Sequence, residues 1–203
     1  MEARKIFKDQ RALLALVILI IIGVVSTINP KFIGIKNLIT IFQQISVIGI
    51  LTMAMSVLLI GGGIDLSIGN IMALSGVVMA RMIGGGQSVL IATAAGVVVG
   101  VLCGFLNGAI ISKSKAIPLI ISLGTSQIFY GLSLTISGGR ILSFNGAFNA
   151  IGKTKLFGVF PVMLLFLIFM VLLSFVLMNR TKFGRRIVAI GGNEKNAFLS
   201  GIN

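Results

Sequence analysis

The chain has 203 residues, 57% hydrophobic and only 10% charged, with a mean hydropathy of +1.13, which excludes an ordinary water-soluble domain and fits a single membrane domain. The net charge of +13 does not imply nucleic acid, because the basic residues sit in short clusters between apolar runs rather than together on one face. With no histidine, one cysteine and four acidic residues, the chain lacks the parts for a disulfide framework, a His/Cys metal site or a Ser-His-Asp triad, so no catalytic or metal-binding residue is assigned.

An all-α fold follows from the solvent, since a backbone crossing a hydrocarbon core about 30 Å thick must satisfy its own hydrogen bonds. Six apolar spans are predicted, at residues 12–28, 38–60, 64–83, 88–112, 117–137 and 159–178. The first follows Arg4, Lys5, Lys8 and Arg11 but is longer than a secretory signal core and has no small-residue cleavage site, so it reads as a retained span.

Span two carries the polar residues Gln43, Gln44, Ser46, Thr52 and Ser56. It ends in GGGIDLSIG, residues 61–69, where three glycines break the helix and Asp65 with Ser67 starts the next. Asp65 is placed to cap that helix, its carboxylate accepting N–H bonds from the following turn. A charge near the bilayer centre costs about 2.5–3.5 kcal/mol on insertion scales, so it is kept where it is capped, paired or wet. Broken helices of this kind commonly line transport sites, so Asp65 either caps the next helix or meets a solute or a moving gate.

Span four has glycine at positions 96, 100, 104 and 108, a spacing that lets another helix approach closely, with Asn107 beside it able to bond across the contact. In span five Ser122, Ser126, Tyr130, Ser133 and Ser137 recur every three or four residues as a polar stripe. Such a stripe serves either interhelical bonding or a solute path, and Ser122, Ser126 and Tyr130 join the candidate path on the second reading.

The segment AFNAIGKT, residues 147–154, has the outline of a relaxed phosphate-binding loop. It is rejected because no strand precedes it and bulky residues stand where glycines should expose N–H groups. After the last span, residues 179–203 are basic at first, then rich in small residues, with a turn at Gly191-Gly192-Asn193 and a short helix expected from Glu194. With the amino terminus in the cytoplasm, six spans return this tail to the same side. The flanking charges agree, eleven basic residues falling inside and six outside.

Four stretches together resemble the permeases of ribose-type sugar ABC importers, within a wider group that includes branched-chain amino-acid permeases. They are GGGIDLSIGNIMALSG (61–76), GFLNGAIISK (104–113), IPLIISLGTSQIFYGL (117–132) and TKFGRRIVAIGGNEKNAFLSGIN (181–203). The resemblance implies that Gly62, Gly63, Asp65, Leu66 and Ser67 belong to the translocation path or its gate, and that residues 179–203 form a cytoplasmic loop docking on a separate ATPase subunit, through Phe183, Gly184, Arg185, Ala189, Gly191, Asn193, Ala197, Ser200 and Gly201. It implies a dimeric pore with a second permease copy in the bacterial inner membrane, an extracytoplasmic sugar-binding protein, and no cofactor bound by this chain. The expected cargo is a small sugar such as ribose; a branched-chain amino acid or a nucleoside is the alternative. Family members continue with further spans past the point where this chain stops at Asn203, so it is expected to be an amino-terminal portion, and a non-functional truncated permease is the remaining alternative.

Overall fold

The long proline-free apolar runs fold as helices, broken where glycine, proline or a capping side chain interrupts them. A computed structural model describes residues 10–114 and 116–202; the basic cluster Arg4, Lys5 and Lys8, and Lys115, lie outside the described residues. Helix α1 covers Gln10–Ile28, and a 3-10 turn over Pro30–Ile33 leads into α2, Ile35–Ile60. Helix α3 runs over Ile68–Gly84, α4 over Val89–Lys113 and α5 over Pro118–Ser137. A short α6, Asn149–Lys153, precedes strands β1, Lys155–Leu156, and β2, Phe160–Pro161. The chain closes with α7, Val162–Arg180, α8, Lys182–Gly192, and α9, Glu194–Leu199.

Four of these helices, α2, α4, α5 and α7, are long and apolar enough to cross a membrane, and α1 and α3 contain shorter apolar stretches of the same character. The architecture is therefore the expected all-α polytopic bundle, broken near residues 61–69. Boundaries differ from expectation by up to four residues, α2 for example beginning at Ile35 rather than 38, and two of the differences have a clear local cause. Helix α3 starts at Ile68 rather than 64, because residues 63–67 are held outside the helix by side-chain bonds described below. Helix α7 starts at Val162 rather than 159, because Phe160 and Pro161 pair antiparallel with Leu156 and Lys155, and the Pro161 ring then sets the helix entry.

Helix ends follow local chemistry. Ser88 caps α4 by accepting the Ile91 N–H at 3.3 Å, and Pro118 opens α5 at a position where a missing N–H costs nothing. Thr181 caps α8 and Asn193 caps α9, each accepting from the backbone N–H three residues ahead.

The helices form two groups. Helix α3 packs along both α4 and α5, and α2 packs along α7 with α8 at its end. The apolar core of the first group is small, with Leu74, Cys103 and Phe129 buried and Ile71, Val78 and Val99 packed around them. Much of the other buried material is polar, including Ser46, Ser67, Asn107, Ser122, Thr125 and Ser126, while the large aliphatic side chains face outward. That inversion suits a lipid solvent, where apolar surface has no reason to hide and hydroxyls and amides do.

The glycine spacing of α4 serves packing only in part. A Cβ on Gly96 would overlap the Met79 side chain, and one on Gly100 would lie 3.4 Å from Ser75 Oγ, whereas Gly104 and Gly108 meet nothing within 4 Å. A four-residue repeat drifts around a 3.6-residue helix, so the buried line passes instead through Ala92, Gly96, Cys103 and Asn107. Gly96→Leu should lower the stability of the chain in mild detergent by about 1–3 kcal/mol through overpacking. Gly104→Leu should stay within about 0.5 kcal/mol of wild type in the same thermal unfolding measurement.

Candidate functional site

The break after α2 is made by backbone freedom. Gly62 takes φ +81°, a left-handed conformation cheap only for glycine, and the Gly63 N–H bonds the Leu58 carbonyl at 2.9 Å. The turn delivers Asp65 to the foot of α3, between α4 and α5.

There the carboxylate is fully engaged by neutral donors. Its Oδ1 accepts the Ser67 N–H at 2.7 Å and the Ser67 hydroxyl at 2.6 Å, and its Oδ2 accepts Asn107 Nδ2 at 2.9 Å. Asn107 Nδ2 also donates to Ser67 Oγ at 3.0 Å, while its Oδ1 accepts the Thr125 hydroxyl at 2.9 Å. A carboxylate can only accept, so the Asn107 amide must face Asp65 with its nitrogen, and the Thr125 hydroxyl completes its other side. Hydrogen bonds to a charged group contribute about 1.5–3 kcal/mol each, so three of them more than offset the cost of a carboxylate held in the turn between α2 and α3, at the helix ends rather than at their centre.

A second set of bonds ties the same loop to α5. The Leu66 N–H donates to Ser122 Oγ at 3.2 Å, and Asn70 Nδ2 donates to Ser126 Oγ at 2.7 Å and to the Ser126 carbonyl at 3.1 Å. Among the described residues no buried side-chain nitrogen or oxygen lacks a partner. The segment is thus a polar clamp joining three helices, with every strong donor and acceptor matched.

Asp65 does less capping than its position suggested. Its contact to the Ser67 N–H is a turn over two residues, and the rest of the carboxylate serves side chains rather than the first turn of α3. Of the other candidate path residues, Ser67, Ser122 and Ser126 are buried in the clamp, Gly62 and Gly63 form the turn, and Tyr130 lies apart at 48% exposure. Helical drift moves Tyr130 to the edge of the α5 face, and Phe129 fills its centre. Thr125 and Asn70 were not singled out from sequence. Thr125 sits one step from Ser126 on a face already marked polar, and Asn70 follows the GGGIDLSIG run directly.

The carboxy-terminal candidates gather at the same end of the bundle. Gly191 lies against the backbone of Ile60 and Gly61, where a Cβ would overlap the Ile60 carbonyl, and Gly184 lies equally close to the backbone at Met178. Ala197 is buried at 4% exposure, and Gly201 takes φ +79° to end α9, with the Ile202 N–H returning to the Ala197 carbonyl at 3.0 Å. Asn193 is the cap of α9, and the Ser200 hydroxyl bonds the Asn196 carbonyl. Phe183 and Arg185 are exposed, and Ala189 is half-buried. The small residues of this segment therefore serve contacts within the chain, and its exposed face is made by Phe183, Arg185, Arg186, Val188 and Phe198.

Between the glycine break and α8 lies a cavity of about 320 Å³, lined by Val57, Leu58, Gly61, Phe183, Ile187 and Ile190. Helix α8 thus sits directly on the turn that positions Asp65.

A sequence profile described as "Branched-chain amino acid transport system / permease component" matches residues 37–203. The ribose import permease protein RbsC of Bacillus subtilis (strain 168) is 38% identical over 93% of this chain and 59% of its own length. The D-allose transport system permease protein AlsC of Escherichia coli (strain K12) is 36% identical over 92% of this chain and 58% of its own length. The fructose import permease protein FrcC of Rhizobium meliloti is 33% identical over 91% of this chain and 53% of its own length. The chain thus spans rather more than half the length of these relatives. No solved structure matches it. Its apolar helices and these matches make it a multi-pass membrane protein, and the chain belongs to the branched-chain amino acid transport system permease family.

Proposed function

We propose that the chain forms part of the membrane-spanning permease subunit of an ATP-driven ABC importer that carries a small sugar across the bacterial inner membrane. The observation that carries this reading is the seating of α8 on the Gly61–Gly63 turn, next to the Asp65 clamp. A pump without its own motor needs such a link. Force applied by a partner to the exposed face of α8 reaches a turn of three glycines, and beyond it a carboxylate clamped between three helices. The motor is a separate ATPase subunit. Its surface engages Phe183, Arg185 and the rest of the exposed face of α8–α9, while Gly184, Gly191, Ala197 and Gly201 hold that face in shape.

The cargo reading rests on relatives named for ribose, allose and fructose. A binding protein delivers the sugar to the opposite end, and two permease copies enclose the path, with Asp65, Ser67, Ser122 and Ser126 governing the gate beside it rather than lining an open pore. Tyr130 is exposed on α5, and in this reading it faces the path or the second copy.

The direct test is uptake in cells carrying the full-length permease with its ATPase and binding protein. Labelled ribose or a related monosaccharide should accumulate only with ATP hydrolysis, and accumulation of leucine or a nucleoside instead would replace the sugar reading. Orientation is checked separately: green fluorescent protein fused after Ile202 should fluoresce, and alkaline phosphatase at the same point should stay inactive. The reverse pattern would place α8 outside and remove the ATPase contact.

A further inference from the structure

At the end of the bundle opposite the clamp, two arginines share a cavity. Arg81 stands in the last turn of α3, and Arg140 follows the end of α5. Both line a cavity of about 330 Å³ together with Thr135, Ser137 and Leu142. Arg81 also lines an adjoining cavity of about 480 Å³ with Ser143 and Asn145. The position of Arg140 is set by the fold. Gly138 and Gly139 take φ +66° and +70°, and the Gly139 N–H bonds the Leu134 carbonyl at 3.0 Å. These two left-handed residues turn the chain back toward α3.

Both arginines are exposed, so water screens their mutual repulsion, and an anion seated in the cavity they share would be held by both. Among the described residues the carboxylates are Asp65 and Glu194, and both sit at the other end of the helices. Neither guanidinium has a hydrogen-bond partner among the described residues. Arginine presents a planar fork of donors that matches a phosphate, while the Thr135 and Ser137 hydroxyls beside it already donate to the Gly131 and Leu134 carbonyls and leave the anion to the two guanidiniums. The surface around the arginines is also apolar, with Ile136 lining the same cavity, Ile141 lining the adjoining one and fully exposed, and Leu134 exposed on α5. A helix end, a cationic cavity and an apolar flank running away from it fit a charged headgroup whose acyl chains follow the helix.

We propose that Arg81 and Arg140 form a binding site for the phosphodiester headgroup of an anionic phospholipid. The site grips the ends of α3 and α5 together at the membrane surface, on whichever leaflet that end faces.

Native mass spectrometry of the whole chain released from detergent tests this, with phosphatidylglycerol, phosphatidylcholine and inorganic phosphate as probes. Phosphatidylglycerol should be retained about tenfold better than the zwitterionic lipid, and the R81Q/R140Q double variant should lose that preference. K31Q/K36Q, which removes the same charge from the turn between α1 and α2, should keep it. Thermal unfolding of both double variants checks that each remains folded, and R81K/R140K, which keeps the charge without the fork, should retain an intermediate preference. Equal loss in the two glutamine pairs would show diffuse attraction and overturn the site. Retention by R81Q/R140Q at the wild-type level would also overturn it. Inorganic phosphate competing at millimolar concentration would leave an anion site but reject the lipid as its occupant. Wild-type lipid retention together with loss of binding-protein affinity in R81Q/R140Q would reassign the arginines to a protein contact.

Discussion

Asp65→Leu should destabilise the α3–α4–α5 group by about 3–5 kcal/mol, whereas Asp65→Asn should cost only about 1 kcal/mol. Leucine leaves the Ser67 N–H, the Ser67 hydroxyl and Asn107 Nδ2 without their shared acceptor, in a place where water is scarce. Each orphaned buried donor costs about 1–3 kcal/mol, partly relieved by local rearrangement. Asparagine can restore most of the pattern by one adjustment, losing the bond from Asn107 Nδ2 to Ser67 Oγ. Its oxygen accepts from Ser67 as before, and its amide nitrogen meets Asn107 once that side chain turns over. The hydroxyl of Thr125 then accepts instead of donating, which a hydroxyl can do. Thermal unfolding in mild detergent reads the difference, and uptake by the complete importer should follow the same order. Equal stability of the two variants would mean that the clamp contributes nothing beyond shape.

Gly191→Leu should lift α8 from the end of α2, with a stability loss of about 3 kcal/mol or more and a large loss of ATPase association in the complete importer. No rotamer avoids the collision, because the overlap is between Cβ and the Ile60 carbonyl itself. Backbone cannot move aside as a flexible side chain can. The matched control is the next residue, since a Cβ on Gly192 meets nothing within 4 Å, and Gly192→Ala should stay within about 0.5 kcal/mol of wild type. Limited trypsin cleavage at Arg185 and Arg186 gives a direct reading of the helix position. It should accelerate in Gly191→Leu and stay unchanged in Gly192→Ala. Unchanged cleavage in both would show that α8 is not fastened where Gly191 meets Ile60.

The apolar helices were legible in the sequence because hydrophobic length alone marks a span, and the glycine run marked the break between α2 and α3. The two-stranded hairpin was not legible, since strands of two residues carry no periodicity. The side chains of the clamp were only half legible. Asp65, Ser67, Ser122 and Ser126 were marked by polarity in an apolar setting, but nothing in their spacing said that Asn107, forty residues further on, would complete the ring. The small residues of α8 and α9 misled in a different way. Composition tells that Gly191 and Ala197 permit a close approach, but not whether the approaching surface belongs to the same chain. Tyr130 shows the same limit on a finer scale, because two successive four-residue steps from Ser122 carry it off the buried face, and the three-residue step to Ser133 returns to it.

The division of the helices into two groups sets an order of events during synthesis. Helices α3, α4 and α5 are consecutive, so their clamp can close as soon as α5 leaves the translocation channel. Helix α2 has no such neighbour at that moment. Its bond from Gln43 to the Gly152 carbonyl spans 109 residues, and its packing partner α7 emerges later still. At about 5–20 residues per second, α2 waits on the order of 5–20 s before it is covered. During that interval Gln43 faces lipid or the channel wall with its amide unmatched, so ribosome stalling or slow codons between α5 and α7 should raise capture of nascent chains by membrane quality-control proteases.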